Sequence, residues 1–247
     1  MKTAAIIQAR MGSTRLPGKV MLTVCGQTIL GHVVNRVKQA SLPDIVVVAT
    51  TTAPADDVIV EECRRLRTAF FRGSETDVLG RYHGAASSVG ADVIVRITSD
   101  CPLYDPHLLD LMLSDFFQGF SQQGSKLDYL SNTLKRTFPR GLDTEIFTFA
   151  ALDRAHHEAS LPSEREHVTP YIYHHPELFN LRSYEGPADY SHYRWTLDTP
   201  EDWEFVKAVY ERLGHGGRWF DTREVFELLE REPALAQINA HVHQKQV

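Results

Sequence analysis

The sequence has few cysteines and no long apolar run. Cys25, Cys63 and Cys101 are its three cysteines, they lie far apart, and no CxxC pair occurs. This excludes a zinc ribbon and a disulfide framework and is typical of a reducing compartment. No apolar run approaches the roughly 18 residues that a membrane helix requires, and the few apolar residues before Gln8 do not form a signal peptide. We therefore expect a cytoplasmic protein without a membrane partner.

The sequence also lacks an excess of positive charge. It has 26 lysines and arginines against 32 aspartates and glutamates, a formal net charge of −6. An acidic chain is not attracted to nucleic acid in bulk, so we expect no nucleic-acid partner. Its 247 residues, of which 43% are hydrophobic and 23% charged, suit one large α/β domain or a core with an appendage.

Both common phosphate-binding loops are absent, but a different loop rich in glycine and positive charge is present. Residues 8–20, QARMGSTRLPGKV, directly follow the first apolar segment. The two glycines of the loop are too far apart for a Walker A loop, and no G-x-G-x-x-G pattern occurs. Glycines let the backbone approach a phosphate, and Arg10, Arg15 and Lys19 can neutralise a polyanion. The alternative is a solvated basic loop; we favour an anion site.

Apolar segments alternate with helical patterns along the first half. Strands are predicted at 4–7, 45–50, 69–72 and 93–98, and helices at 28–40, 55–67, 77–89 and 106–117. Continuous apolar strands between helices predict a doubly wound, mostly parallel α/β sheet buried on both faces. After an exposed polar connection at 118–128, strands are predicted at 128–132, 144–149, 179–184 and 193–197. Helices are predicted there at 150–158, 164–174, 201–212 and 221–231, before a loose tail from 241 to 247.

Two aspartates follow predicted strands without a capping duty. Asp100 ends the fourth strand, and Asp105 supplies the cap of the next helix. Asp198 ends a later strand segment, where Thr199 is the natural N-cap and Asp202 completes the cap. Hard cations take carboxylate and phosphate oxygens, so two spare aspartates beside a triphosphate loop indicate a Mg²⁺ site. The structural alternatives are a helix cap for Asp100 and a turn residue for Asp198.

With these motifs the sequence resembles the cytidylyltransferases that activate sugars and sugar acids with CTP. The loop at 9–19 is similar to that of the 3-deoxy-manno-octulosonate and acylneuraminate enzymes, and the spore-coat polysaccharide biosynthesis protein F type matches nearly the whole chain. Further matching segments are GSETDVL at 73–79, RY at 81–82, GLDTE at 141–145, EREHVTP at 164–170 and LDTPED at 197–202. The resemblance implies a Rossmann-like, nucleotide-diphospho-sugar transferase-like α/β fold of roughly seven strands with a small α+β appendage.

The resemblance also implies the organisation of the domain. A single nucleotidyltransferase domain would span 1–247. It would contain a nucleotide-binding half at 1–117, segments for acceptor binding and dimerisation at 118–200, and C-terminal helices at 201–247. The relatives generally form dimers, so we expect a homodimer.

The resemblance further implies residue roles. The residues expected to contact CTP are Ala9, Arg10, Gly12, Ser13, Thr14, Arg15, Lys19, Gly73, Ser74, Arg81 and Thr98. Those expected to be catalytic are Arg10, Arg15, Lys19, Asp100 and Asp198, the two aspartates as ligands of the Mg²⁺ cofactor. The octulosonate enzymes typically carry Gln where this chain has Thr98, which leaves the choice of base open.

We expect an acceptor oxygen to attack the α-phosphorus of CTP in line, with pyrophosphate leaving. The acceptor would be a small acidic sugar, such as a nonulosonic or related 2-keto sugar acid, or a sugar phosphate, for surface polysaccharide synthesis. Its predicted contacts are Arg140, Asp143, Glu145, Arg165 and His167. Each has a structural alternative: residues 164–167 can be the charged first turn of a helix, and Arg140 can pair with Asp143 across a turn.

Three other functions stay open at this point. One is transfer of CMP to a phosphorylated small acid, for which the same loop would serve. Another is glycosyl transfer from a nucleotide-sugar, against which the absence of an Asp-x-Asp motif at Asp100 counts. The third is a non-catalytic nucleotide-binding module, against which the two spare aspartates count.

Overall fold

The computed structural model describes residues 1–121 and 127–243, with backbone alone at 120 and 121. The predicted connection at 118–128 and the tail from 241 to 247 therefore lie partly outside the described residues. None of the helices in these two ranges has the length and apolar character that crossing a bilayer requires.

Most strands join one seven-stranded sheet. The strands are β1 (Thr3–Gln8), β2 (Thr23–Val24), β3 (Gln27–Thr28), β4 (Ile45–Thr51), β5 (Ala69–Gly73), β6 (Val93–Thr98), β7 (Tyr129–Ser131), β8 (Glu145–Thr148) and β9 (Leu181–Ser183). The sheet has the order β5-β4-β1-β6-β8-β7-β9, and β2 and β3 form a separate hairpin. The first four strands of that order are parallel, β8 is antiparallel to both its neighbours, and β9 is parallel to β7. This confirms the predicted mostly parallel α/β sheet.

The helices cover both faces of the sheet. They are α1 (Ile29–Val37), α2 (Asp57–Arg65), α3 (Val78–Ser88), α4 (Pro106–Ser121), α5 (Phe149–Glu158), α6 (Pro162–His167), α7 (Pro170–His174), α8 (Pro200–Leu213), α9 (Thr222–Arg231) and α10 (Ala234–Gln237). Because side chains alternate along a strand, Ala5 and Ile7 of β1 enter one core, with α1, α4 and α8. Ala4 and Ile6 enter the other core, with α3, α5 and α7. Two buried faces confirm the doubly wound interpretation.

The second half departs from the sequence prediction in two places. The predicted strand at 193–197 is not a strand of the sheet and forms only an isolated bridge between Arg140 and Arg194. The predicted helix at 164–174 is two helices, α6 and α7, separated by Val168 at φ 76°. Pro170 begins the second helix, because proline lacks the amide hydrogen that a continuous helix requires. The β2–β3 hairpin and the short helix α10 were not predicted.

Candidate active site

The basic loop and Asp100 follow two neighbouring parallel strands. The last residue of β1, Gln8, is in register with Thr98 at the end of β6. The Ser99 amide also donates to the Gln8 carbonyl over 3.0 Å. Because parallel strands end at one edge of the sheet, the loop after β1 and the turn after β6 face each other.

Backbone contacts hold the loop in place at both ends. The Ala9 amide donates to a carbonyl of β4 over 3.1 Å, and the Met11 amide donates to the buried Asp56 carboxylate over 2.7 Å. At the other end Gly18 has φ 69°, a conformation that favours glycine, and its amide donates to the Met11 carbonyl over 3.2 Å. Lys19 follows in a short 3₁₀ turn, which fixes its backbone beside the sheet.

Lys19 joins the two aspartates that the sequence left without a capping role. Its Nζ lies 2.8 Å from Asp100 Oδ2 and 2.7 Å from Asp198 Oδ1. The three side chains are only 12 to 23% exposed. The sequence predicted that the loop and these carboxylates converge, and the structure confirms this.

The charges of this cluster stabilise one another. Burial by itself would raise the pKa of Asp100, but the nearby ammonium of Lys19 and its hydrogen bond more than offset this and lower that pKa. Burial would likewise lower the pKa of Lys19, and the two aspartates raise it instead. Asp100 is therefore ionised, and Lys19 protonated, at neutral pH.

Asp198 reaches the cluster through an extended segment hydrogen-bonded to Asp100. The Leu197 amide donates to the Asp100 carbonyl over 2.8 Å, and the Thr196 hydroxyl donates to the same oxygen over 3.2 Å. α8 begins directly after Asp198, with Thr199 as N-cap and Asp202 closing the capping box. Both capping predictions are confirmed, and Asp105 caps α4 through the amides that follow it, as predicted.

Two arginines hold the second oxygen of Asp198. Arg15 Nη2 lies 3.1 Å and Arg194 Nη2 3.0 Å from Asp198 Oδ2. Sequence reasoning missed Arg194, because no local pattern distinguishes it from a surface arginine. Arg194 lies four positions before Asp198. This spacing indicates an ion pair only when the conformation of the segment between the two residues is known.

The remaining predicted nucleotide contacts line the same edge of the sheet. Gly12 and Thr14 are exposed and Ser13 is half-buried. Arg10 Nη1 lies 3.8 Å from Oε1 of the exposed Glu75. The Thr98 hydroxyl lies 3.2 Å from Cys101 Sγ. These side chains leave the loop open to a ligand.

Arg81 is buried beside the predicted base and ribose segment. It is 2% exposed, and its Nη1 donates to the Ser74 carbonyl over 2.6 Å. Gly73 packs against it, since a Cβ there would lie 3.0 Å from Arg81 Cγ. Within the described residues, Arg81 Nε has no hydrogen-bond partner, and burial lowers the pKa of this guanidinium.

The predicted acceptor contacts divide into two groups, of which one lies beside the aspartate cluster. Arg140 pairs through its backbone with the segment that carries Arg194, since the Trp195 amide donates to the Arg140 carbonyl over 2.7 Å. The structural alternative, a cross-turn pair of Arg140 with Asp143, is not the pair that forms. Asp143 instead accepts two hydrogen bonds from Arg136, over 2.5 and 2.9 Å.

The residues of the other group, Glu145, Arg165 and His167, lie in β8 and α6. Glu145 is buried and accepts hydrogen bonds from Tyr129 and Thr169, over 2.6 and 2.5 Å, besides its ion pair with Arg96. Arg165 forms a bidentate pair with Asp77, the N-cap of α3, over 2.9 and 2.5 Å. These contacts match the charges of both residues within the fold and do not support the predicted contact with the acceptor. His167 ends α6, the same helix as Arg165.

The two aspartates fit a divalent cation only in the presence of further oxygen ligands. Within the described residues, no group of three or more His, Cys, Asp or Glu side chains could hold a metal ion. Asp100 and Asp198 present one oxygen each towards a common point, at present taken by the ammonium of Lys19. Mg²⁺ typically takes one or two carboxylates plus substrate phosphates and water, so this donor set fits a nucleotide-bound Mg²⁺.

Comparisons with known proteins show which family and which solved structures this chain is similar to. A family model described as cytidylyltransferase matches residues 4–246. The spore coat polysaccharide biosynthesis protein SpsF of Bacillus subtilis is 37% identical over 238 residues, which cover 94% of this chain and 95% of that protein. A cytidylyltransferase structure from Leptospira borgpetersenii is 39% identical and superimposes with a TM-score of 0.89, covering 100% of this chain and 99% of that one.

A more distant structure supports the fold alone. It is a CMP:2-keto-3-deoxy-manno-octonic acid synthetase complexed with CTP, 20% identical with a TM-score of 0.64, and covers 86% of this chain and 99% of its own.

Proposed function

This chain belongs to the cytidylyltransferase family, and we propose that it transfers CMP from CTP to an acidic sugar acceptor with release of pyrophosphate. The observation that carries the proposal is the contact of one ammonium, Lys19 Nζ, with both Asp100 and Asp198. It supports a single centre in which the basic loop binds phosphates beside two carboxylates. The name of the Bacillus subtilis relative supports a role in polysaccharide synthesis.

The protein side of the reaction is positioning and charge neutralisation. The side chains of Arg10 and Arg15 are 44 and 39% exposed, so they can turn towards a ligand. With Lys19 they would neutralise the charge that develops on the departing pyrophosphate. Asp100 and Asp198 would hold Mg²⁺, which when bound supplies further stabilisation of phosphate charge.

Arg140 would bind the acid group of the acceptor. Its guanidinium is half-buried, and the largest effect on it is burial, which lowers its pKa; the positive charges of Arg136 and Arg194 lower it further. Arg136 and Arg194 are paired with Asp143 and Asp202, so Arg140 is the arginine of this group that would bind a carboxylate on the acceptor. Asp143, held by Arg136, would accept hydrogen bonds from acceptor hydroxyls.

Pyrophosphate release tests the proposal. ATP, CTP, GTP and UTP are each assayed with nonulosonic, octulosonic and phosphoglycerate-type acceptors. We expect release with CTP and a sugar acid. Release with the phosphoglycerate-type acceptor alone would favour a phosphorylated small acid, whereas CTP binding without turnover across the panel would favour a non-catalytic module.

A pair of aspartate variants separates catalysis from folding. Asp100→Ala should abolish pyrophosphate release and leave the fold intact. Asp105→Ala, five positions away, should cost about 1 kcal/mol of stability through the lost helix cap but keep the activity. A folded and active Asp100→Ala variant would contradict the metal assignment. Light scattering of the same proteins tests the proposed homodimer.

A further inference from the structure

The Asp202 carboxylate receives more hydrogen bonds than a helix cap requires. It is 0% exposed, and it accepts bonds from Arg194 Nε, Arg194 Nη2 and the Asn239 side chain over 2.8, 2.8 and 2.9 Å. It also accepts from the amides of Asp198 and Thr199 over 2.9 and 3.1 Å. Only the last of these closes the capping box of α8. The bonds from Arg194, Asn239 and the Asp198 amide are not part of this cap, so the helix cap does not explain them.

Arg194 carries the connection to Asp198. Its Nη2 bonds Asp202 Oδ2 over 2.8 Å and Asp198 Oδ2 over 3.0 Å. The Arg194 side chain is 5% exposed, against 39% for Arg15, which contacts the same oxygen. A buried arginine that makes forked hydrogen bonds is already held in one rotamer. An exposed arginine still loses side-chain entropy when it contacts a carboxylate. Arg194 is therefore the group that fixes Oδ2 and leaves Oδ1 directed at Lys19 and Asp100.

Asn239 brings the C-terminal segment into this network. It follows α10 and is 2% exposed. Its Nδ2 donates to Asp202 Oδ1 and to the Arg194 carbonyl, both over 2.9 Å. One amide group thus holds the Asp202 carboxylate and the Arg194 backbone at once.

We propose that Arg194, Asp202 and Asn239 are positioning residues that orient Asp198, so that the C-terminal segment is part of the active centre. The inference rests on the proposed function, in which Asp198 is a metal ligand. Removal of a residue that orients a metal-ligating side chain typically lowers metal affinity or activity by about 10–100-fold.

The test measures Mn²⁺ affinity of the enzyme–CTP complex by electron paramagnetic resonance, together with kcat and KM. Arg194→Met and Asn239→Ala should each weaken Mn²⁺ binding by about 10-fold or more and lower kcat, with little change in KM for CTP. The matched controls are Arg223→Met, an arginine whose side chain is 84% exposed, and Gln237→Ala, an exposed residue of α10. Both controls should behave as the unmodified protein.

A double-mutant cycle distinguishes positioning from a general loss of stability. In an Asp198→Asn background, Arg194→Met should add little further loss, since the oxygen that it orients no longer ligates. Arg194→Lys keeps the charge without the fork and, with Asn239→Ala, carries the same test if Arg194→Met does not fold. Unchanged Mn²⁺ affinity in folded variants, or fully additive losses, would overturn the inference. Full activity and Mn²⁺ binding in Asp198→Asn would overturn the proposed metal site instead.

Discussion

The substitution Lys19→Met removes the ammonium group that Asp100 and Asp198 share. Methionine is unbranched and flexible enough to fill much of the space of the lysine side chain without its charge. The two carboxylates, which contact Lys19 Nζ over 2.8 and 2.7 Å, would then face each other without the ammonium between them. Asp198 would keep its contacts with Arg15 and Arg194, whereas Asp100 would lose its charged partner. The nucleotide-free variant would therefore carry more negative charge at this site than the unmodified protein.

The size of this effect follows from the geometry. Two like charges roughly 5 Å apart repel by about 3 kcal/mol at an effective dielectric constant of about 20. A divalent cation that relieves this repulsion, and that no longer has to displace the lysine, should bind about a hundredfold more tightly, because each 1.4 kcal/mol is a factor of about ten. Turnover should change in the opposite direction, falling by about 10²–10³, because a charge that stabilises the leaving pyrophosphate is lost.

Isothermal titration with Mn²⁺ at pH 8, without nucleotide, measures the first effect, and pyrophosphate release measures the second. Lys207→Met is the control, since the Lys207 side chain is 45% exposed and lies 3.9 Å from its partner Glu211. It should change neither quantity. If nucleotide-free Lys19→Met bound Mn²⁺ no better than the unmodified protein, the reasoning that Lys19 occupies the position of a cation would be refuted.

Three further predictions concern other parts of the molecule. Gly141→Ala should destabilise the fold by more than about 3 kcal/mol in urea denaturation, because the new Cβ would lie 2.6–2.8 Å from backbone atoms and φ is 105°. The control is Gly90→Ala, at φ 61° with open space around it, which should lower the free energy of unfolding by about 1–2 kcal/mol. Burial would raise the pKa of Asp202, but Arg194 and Asn239 lower it below the ordinary 3.8. The stabilisation that this represents is therefore present above pH 4 and lost on acidification, and Asp202→Asn should flatten the fall of Tm below about pH 4. Arg140→Met should raise KM for the acceptor about tenfold or more and leave KM for CTP unchanged. Arg165→Met is the control and should change neither KM. Equal effects of the two substitutions on KM for the acceptor would contradict the proposed acceptor site.

Local patterns were sufficient to predict the four parallel strands in the first half of the chain, although not the β2–β3 hairpin. The strands β1, β4, β5 and β6 lie within two residues of their predicted positions, because each is a short apolar run between helical segments. The pattern weakens in the second half. There the predicted strand around Trp195 does not join the sheet, since the Trp195 amide donates to the Arg140 carbonyl and the Leu197 amide donates to the Asp100 carbonyl. An apolar segment indicates that its side chains are buried, but it does not by itself specify which segment of the chain packs against it.

Charged side chains show the same limit more sharply. Nothing in the sequence distinguishes Glu145, which is buried with Arg96, from Asp143, which is 38% exposed and pairs with Arg136. Arg136, and not Arg140, pairs with Asp143 because the turn between them directs the Arg140 backbone towards Tyr193 and Trp195. Side-chain partners depend on backbone direction, which short spacings do not define.

The sequence by itself determined the parallel half of the sheet, the basic loop after its first strand, the helix caps and the two aspartates that those caps leave unused. These features are local, since a strand, a turn or a cap is specified by residues a few positions apart. Tertiary structure alone decided that Lys19 lies between Asp100 and Asp198, residues 81 and 179 positions away, and that a buried arginine and an asparagine near the C-terminus hold Asp198. Such contacts arise where packed strands and helices bring distant segments together, and no local pattern encodes that arrangement.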